Sequence, residues 1–134
     1  MKTLTVANIR EHWSWVRPGL AEIARENDAA WLPEDIYASI RAGSASLLLA
    51  EGDTSGFLVA KVYTEAYEGA KVFYIIACFH PAENAQQLYG KAVDAMAEEL
   101  GCAFVEFDSR RRGFERQGGW EIDRIVYRRR LNYG

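Results

Sequence analysis

The feature that most limits the fold of this chain is a block of three consecutive patterns between residues 71 and 107. Lys71 to Phe79 is a nearly continuous apolar run (Val72, Phe73, Tyr74, Ile75, Ile76, Ala77), the signature of a strand buried on both faces. Residues 82–100 then carry a helical repeat, with Leu88, Ala92, Met96 and Leu100 four apart, Val93 beside them and Gly101 as the stop. Cys102 to Phe107 is apolar again. A strand, a helix and a strand in that order predict a right-handed parallel crossover, with the first strand in mid-sheet.

The flanking segments extend this core on both sides. Thr3 to Ala7 alternates as a short strand, and Asn8 with Glu11 three residues on marks a helix start of capping-box type. Ile9, Trp13 and Val16 share a face, and Leu20, Ile23 and Ala24 resume it after Pro18, so two short helical pieces are predicted. Pro33-Glu34-Asp35 opens another helix, with Ile36, Tyr37 and Ile40 on one side and Gly43 as its end. Ala45–Ala50, a Gly52–Gly56 turn and Phe57–Thr64 form a hairpin, which a turn near Gly69 leads into the 71–79 strand. After Phe107 come a short charged helix over 110–117, Gly118-Gly119, and a last strand region from Trp120 to Leu131.

Composition narrows the class. At 134 residues, with 49% hydrophobic and 26% charged residues, one domain spanning residues 1–134 is expected, with a sizeable core. A net charge of −3 offers no general attraction to nucleic acid or anionic lipid. The charge is uneven: residues 108–134 hold eight arginines against Asp108, Glu115, Glu121 and Asp123, including the runs Arg110–Arg112 and Arg128–Arg130. Consecutive arginines in a strand alternate faces, so solvated edges are the plainer reading and a nucleic-acid partner is not expected. Cys78 and Cys102 lack metal-ligand spacing, so no metal is expected. With no apolar segment of signal or spanning length visible, a reduced cytoplasmic setting is expected.

The order of elements over essentially the whole chain resembles the GNAT acetyltransferase superfamily. Its most specific echo is Phe114-Glu115-Arg116-Gln117-Gly118-Gly119-Trp120-Glu121, which is similar to that family's late helix-to-strand segment, Gly119 and Trp120 matching best. Phe79-His80-Pro81 resembles the end of its fourth strand. The resemblance implies an α+β, three-layer architecture with a mixed, mostly antiparallel sheet flanked by helices. It also implies acetyl-CoA as cofactor, its diphosphate on the amides that open the following helix. Phe79, Asn84, Gln87 and Gly90 fall at the cofactor positions. Gln87 and Tyr89 stand where the family has glycines. Glu115 stands at the position of the tyrosine that protonates the departing thiolate, and with His80 it is the catalytic candidate.

The implied activity is N-acetyl transfer to a small-molecule or protein amine. The alternative is a GNAT-fold interaction protein without cofactor binding, a homo-oligomer being one form; small degenerate members of this kind resemble proteins carried by phages and prophages. Cys78 and His80, two apart on a strand end, can face the same way as a thiolate–imidazole pair, but a buried inert thiol is the plainer reading. Trp13, Trp15, Trp31 and Tyr37 suit either an acceptor groove or core packing, as do Tyr63, Tyr67 and Tyr74 on the hairpin strands.

Overall fold

Asn8 takes the Arg10 N–H on its side-chain oxygen at 2.9 Å and starts α1 (Ile9–Asn27), which ends where Asp28 turns into the left-handed region (φ 48°). The computed structural model describes residues 3–52, 55–67, 69–82, 84–109, 114–116 and 119–131, with backbone only for Gln86 and Glu115. Pro18 does not divide α1 into two pieces as expected; the helix runs through it. Packing accounts for the difference: Val16, Gly19 and Leu20, on either side of the proline, are all buried. Seating that turn on the sheet outweighs the one backbone hydrogen bond a proline removes. A Cβ on Gly19 would come within 2.7 Å of the Phe57 ring, so helix and sheet approach closely there.

α2 (Pro33–Arg41) opens on proline, and Asp35 accepts the Leu32 N–H at 2.8 Å. An ion pair of 2.9 Å between Arg17 and Glu34 ties α1 to α2. The Glu34 carboxyl is held below its ordinary range, first by a backbone N–H at the helix start and then by Arg17.

The strands β1 (Leu4–Ala7), β2 (Ser46–Ala50), β3 (Phe57–Thr64), β4 (Lys71–Phe79) and β5 (Phe104–Glu106) form one sheet in chain order. Neighbours pair antiparallel except β4 and β5, which are parallel. The crossover between them is α3 (Ala85–Glu99). One face of the sheet packs Leu47, Phe57, Val59 and Ala77 on Ile9, Val16 and Leu20 of α1 and Ile36 of α2. The other packs Leu48, Leu58, Ala60 and Phe73 on Tyr89, Ala92, Val93 and Ala97 of α3. The architecture is therefore α+β in three layers, with a mixed, mostly antiparallel sheet.

Two further expectations change. The buried stripe of α3 is Tyr89, Ala92, Val93 and Ala97, while Leu88 and Leu100 are about two-fifths exposed. The helix is thus turned by one position from the Leu88/Leu100 stripe, and Tyr89 points into the core. The last strand region, residues 120–131, joins no ladder among the described residues and leaves its side chains exposed from Glu121 onward. The short helix over 110–117 is represented by a 3-10 turn, Phe114–Arg116; the remainder of that stretch lies outside the described residues.

Candidate active site

The site is built on β4. Val59 of β3 faces Ala77 and Ala60 faces Ile75, so Ile76 is an extra residue with no counterpart on β3. Such a bulge bends the strand and takes one peptide unit out of the ladder. On its other side β4 pairs with β5 only through Val72–Phe104, Phe73–Val105 and Tyr74–Glu106. Beyond Tyr74 the two parallel strands part, and Ile75–Phe79 have no β5 partner among the described residues. An opening alongside a bulge is where main-chain groups can meet a ligand.

The loop after β4 leads to the amino end of α3 at the mouth of this opening. Asn84 caps that helix: its carbonyl accepts from Leu88 N–H at 3.0 Å, and its Oδ1 accepts from Gln87 N–H at 3.3 Å. The first turn holds no acidic residue. His80 Nδ1 accepts the Ala82 N–H at 3.1 Å, which fixes the loop and engages that nitrogen's lone pair. Phe79 packs on Phe57, ring centres 5.5 Å apart, on the α1 side of the sheet. Gly90 lies within α3, with open space where a Cβ would stand. Asn84, Gln87 and His80 are therefore brought together at the loop and the helix start, whereas Phe79 sits in the core layer. Glu115 lies in the 3-10 turn, and its side chain is outside the described atoms.

Tyr89 is 3% exposed and closes the floor of this corner, its ring 6.4 Å from His80 and its hydroxyl seated against Gly56. A Cβ at Gly56 would collide with that hydroxyl and come within 2.8 Å of the Phe79 carbonyl oxygen. Glycine is required at 56 for the hairpin to admit Tyr89 beneath the loop.

Residues that sequence reasoning left unassigned gather where β4 and β5 part. The Tyr63 hydroxyl donates to Glu106 Oε1 at 2.5 Å, and Asp108 lies near enough to Tyr74 to act on its phenol. The two rings meet edge-on at 6.4 Å, and the Lys61 ammonium stands 5.6 Å from the Tyr74 ring centre. The hydrogen bond to Glu106 pushes the Tyr63 phenol up to about 12; burial, then Asp108, raises Tyr74 as well. Both phenols stay protonated at neutral pH, and Tyr63 donates to the Glu106 carboxylate. A cavity of about 350 Å³ adjoins this cluster, lined by Tyr63, Glu65, Ala66, Tyr67 and Arg124. Tyr63 and Tyr74 were visible in the sequence as strand aromatics, but their carboxylate partners depend on the β4–β5 register.

The other aromatics take structural positions. Trp13 packs against Tyr37, ring centres 4.9 Å apart and planes tilted by 60°, joining α1 to α2, and Trp15 meets Phe57 at 6.1 Å while donating to His12 Nδ1 at 3.2 Å. Among the described residues, no group of His, Cys, Asp and Glu is arranged to hold a metal, and no helix is long and apolar enough to cross a membrane.

Cys78 is pushed up from its ordinary value of 9.0 to about 12 by burial alone. The thiol is expected to react with iodoacetamide at pH 8 about a thousandfold more slowly in the folded protein than when unfolded, as mass spectrometry of the labelled peptide would measure. Because the folded state keeps this proton while the unfolded state loses it, Cys78 lowers stability as pH rises from about 9 towards 12.

No family model and no curated protein sequence matches the chain, but solved structures do. A GNAT family acetyltransferase of Staphylococcus aureus subsp. aureus USA300_TCH1516 superposes at TM-score 0.60 with 16% identity, covering 97% of this chain and 98% of that one. The ribosomal-protein-alanine N-acetyltransferase of Brucella melitensis biovar Abortus 2308 superposes at 0.66 with 19% identity over 98% of this chain and 100% of the other.

The chain has the GNAT fold.

A transcriptional regulator of Bacillus halodurans C-125 is equally similar, at TM-score 0.68 and 14% identity over 98% and 100% of the two chains. At these identities the likeness speaks for the GNAT fold, and the chemistry has to be argued from this chain's own residues.

Proposed function

We propose that this protein is a cytoplasmic GNAT-type N-acyltransferase that moves an acetyl group from acetyl-CoA to an amine. The observation that carries the reading is the opening beyond Tyr74 and Glu106, with the Ile76 bulge on one side and the amino end of α3 at its mouth.

The donor chemistry suits a diphosphate. The first turn of α3 has no acid, its N–H groups and dipole favour anions, and Asn84 and Gln87 add carboxamides. These residues would hold the cofactor's diphosphate, Asn84 giving up its bond to the Gln87 N–H in the process. Bound there, acetyl-CoA supplies an acyl thioester that amines can attack. Glu106 and Asp108 hold the acceptor as an ammonium and receive its proton, while Tyr63 fixes the Glu106 carboxylate from β3. His80 orders the loop through Ala82, and Glu115 is the candidate for returning a proton to the thiolate.

A second reading is an interaction module without a cofactor. It is favoured by the helix end closing on its own cap and by Tyr89 filling the corner beneath it. Thermal stability with added acetyl-CoA or CoA separates the two. Ligand at one hundred times its dissociation constant stabilises a binder by about 2.7 kcal/mol. That shift, followed by thiol release when amines are added, supports the enzyme; no shift at millimolar cofactor supports the module.

A further inference from the structure

The chain's lysines are Lys2, Lys61, Lys71 and Lys91, and one of them stands apart by its place in the sheet. Lys61 faces Tyr74 across the β3–β4 ladder, and Tyr74 faces Glu106 across β4–β5. Residues opposed in this way share a face of the sheet, so Lys61 and Glu106 lie on the same side with their Cα atoms about 10 Å apart, two strand spacings. That side is the one α1 covers at Val59, two residues earlier on β3, but Lys61 itself is exposed. Its ammonium leans over the ring of Tyr74, the residue that separates it from Glu106, at 5.6 Å from the ring centre. Among the described residues that ammonium has no carboxylate within ion-pair distance, so its flexible stem is free to swing. Lys71 is tied to the Leu100 carbonyl at 2.6 Å, Lys91 lies exposed on α3 on the opposite side of the sheet, and Lys2 lies outside the described residues.

The row Lys61–Tyr74–Glu106 is also the last before β4 and β5 part. An amine at this row stands at the edge of the opening and beside the carboxylate assigned to take its proton. Lys61 is an amine that the fold itself supplies there, at an effective concentration no dissolved amine matches.

We propose that Lys61 is an acetylation site of the protein itself, modified on Nζ in cis from acetyl-CoA held beside β4. The proposal rests on the acyltransferase reading. Glu106 takes one proton from the Lys61 ammonium, and the freed Nζ bonds to the thioester carbonyl carbon as the carbon–sulfur bond breaks. The second proton leaves the nitrogen as the amide forms, and one proton goes to the departing thiolate, giving acetylated Lys61 and CoA.

The full chain is incubated with acetyl-CoA and no added amine, and its intact mass and peptides are followed by mass spectrometry. One acetyl group should appear per chain, on Lys61, about tenfold or more faster than on Lys71 or Lys91, at a rate per chain independent of protein concentration. Glu106→Gln should slow it about a hundredfold, and Lys61→Arg should abolish it. In a second measurement CoA, which has no acetyl group to give, is titrated into protein carrying isotopically labelled lysine. The ε-methylene resonance of Lys61, assigned with Lys61→Arg, should shift while that of Lys91 stays in place. Acetylation spread evenly over the lysines overturns the proposal, as does a Lys61 rate that grows with protein concentration. A protein that acetylates added amines, or shifts the α3 amides with CoA, yet leaves Lys61 untouched overturns it too, and the acyltransferase reading then stands. Absence of any cofactor binding overturns both.

Discussion

Phe57→Ala is expected to destabilise the protein by about 3–5 kcal/mol, the range for removing a buried aromatic from a core that cannot collapse around the hole. Phe57 is fully buried, faces Trp15 at 6.1 Å and Phe79 at 5.5 Å, and lies under the turn of α1 that Gly19 brings close. No neighbour can fill the void without lifting α1 from the sheet. Loss on this scale is about a fifth or more of the stability of an ordinary domain, so the urea midpoint should fall steeply. Ala50, also buried but small and on the opposite face of the sheet, is the comparison: Ala50→Gly removes a single methyl and should cost far less. Phe57→Leu should fall between the two.

Glu106→Gln should lower kcat/KM for amine acetylation by about 10²–10⁴, the usual contribution of a positioned general base. The amide keeps the shape of the carboxylate and can still accept the Tyr63 hydroxyl, so the thermal midpoint and the affinity for acetyl-CoA should hardly move. A purely structural role would reverse that pattern, with the midpoint falling and the turnover of the folded fraction unchanged. Tyr63→Phe leaves the carboxylate but not its tether and should lose less activity than Glu106→Gln.

The sequence was most legible where one pattern answered to one physical cause. The apolar run of β4, the Asn8 cap, the Pro33 opening and the parallel crossover through α3 each follow from local chemistry that packing reinforces. Pro18 misled because its local cost is small beside the burial of Val16, Gly19 and Leu20. The face of α3 misled because leucines were counted and Tyr89 was not, although the stripe through Tyr89, Ala92, Val93 and Ala97 satisfies the same helical period. His80, Asn84 and Gln87 entered through the family resemblance, and the structure puts them in the loop after β4 and at the cap of α3. Neither pattern nor resemblance pointed to Glu106 and Asp108. Tyr63 reaches Glu106, 43 residues away, only because β3 is in register with β4 and β4 with β5, and register is a long-range property. The Ile76 bulge escaped for the same reason, since it exists only relative to β3.

The decisive measurement is a titration of the isotopically labelled protein with acetyl-CoA, followed through its backbone amide resonances. If the amino end of α3 and the opening beside β4 form the cofactor site, shift changes should saturate and concentrate on Asn84–Leu88 and Ile75–Phe79, leaving β1 and α2 unmoved. Spectra that stay unchanged to millimolar acetyl-CoA, or that change only on the surface of α2, would contradict it.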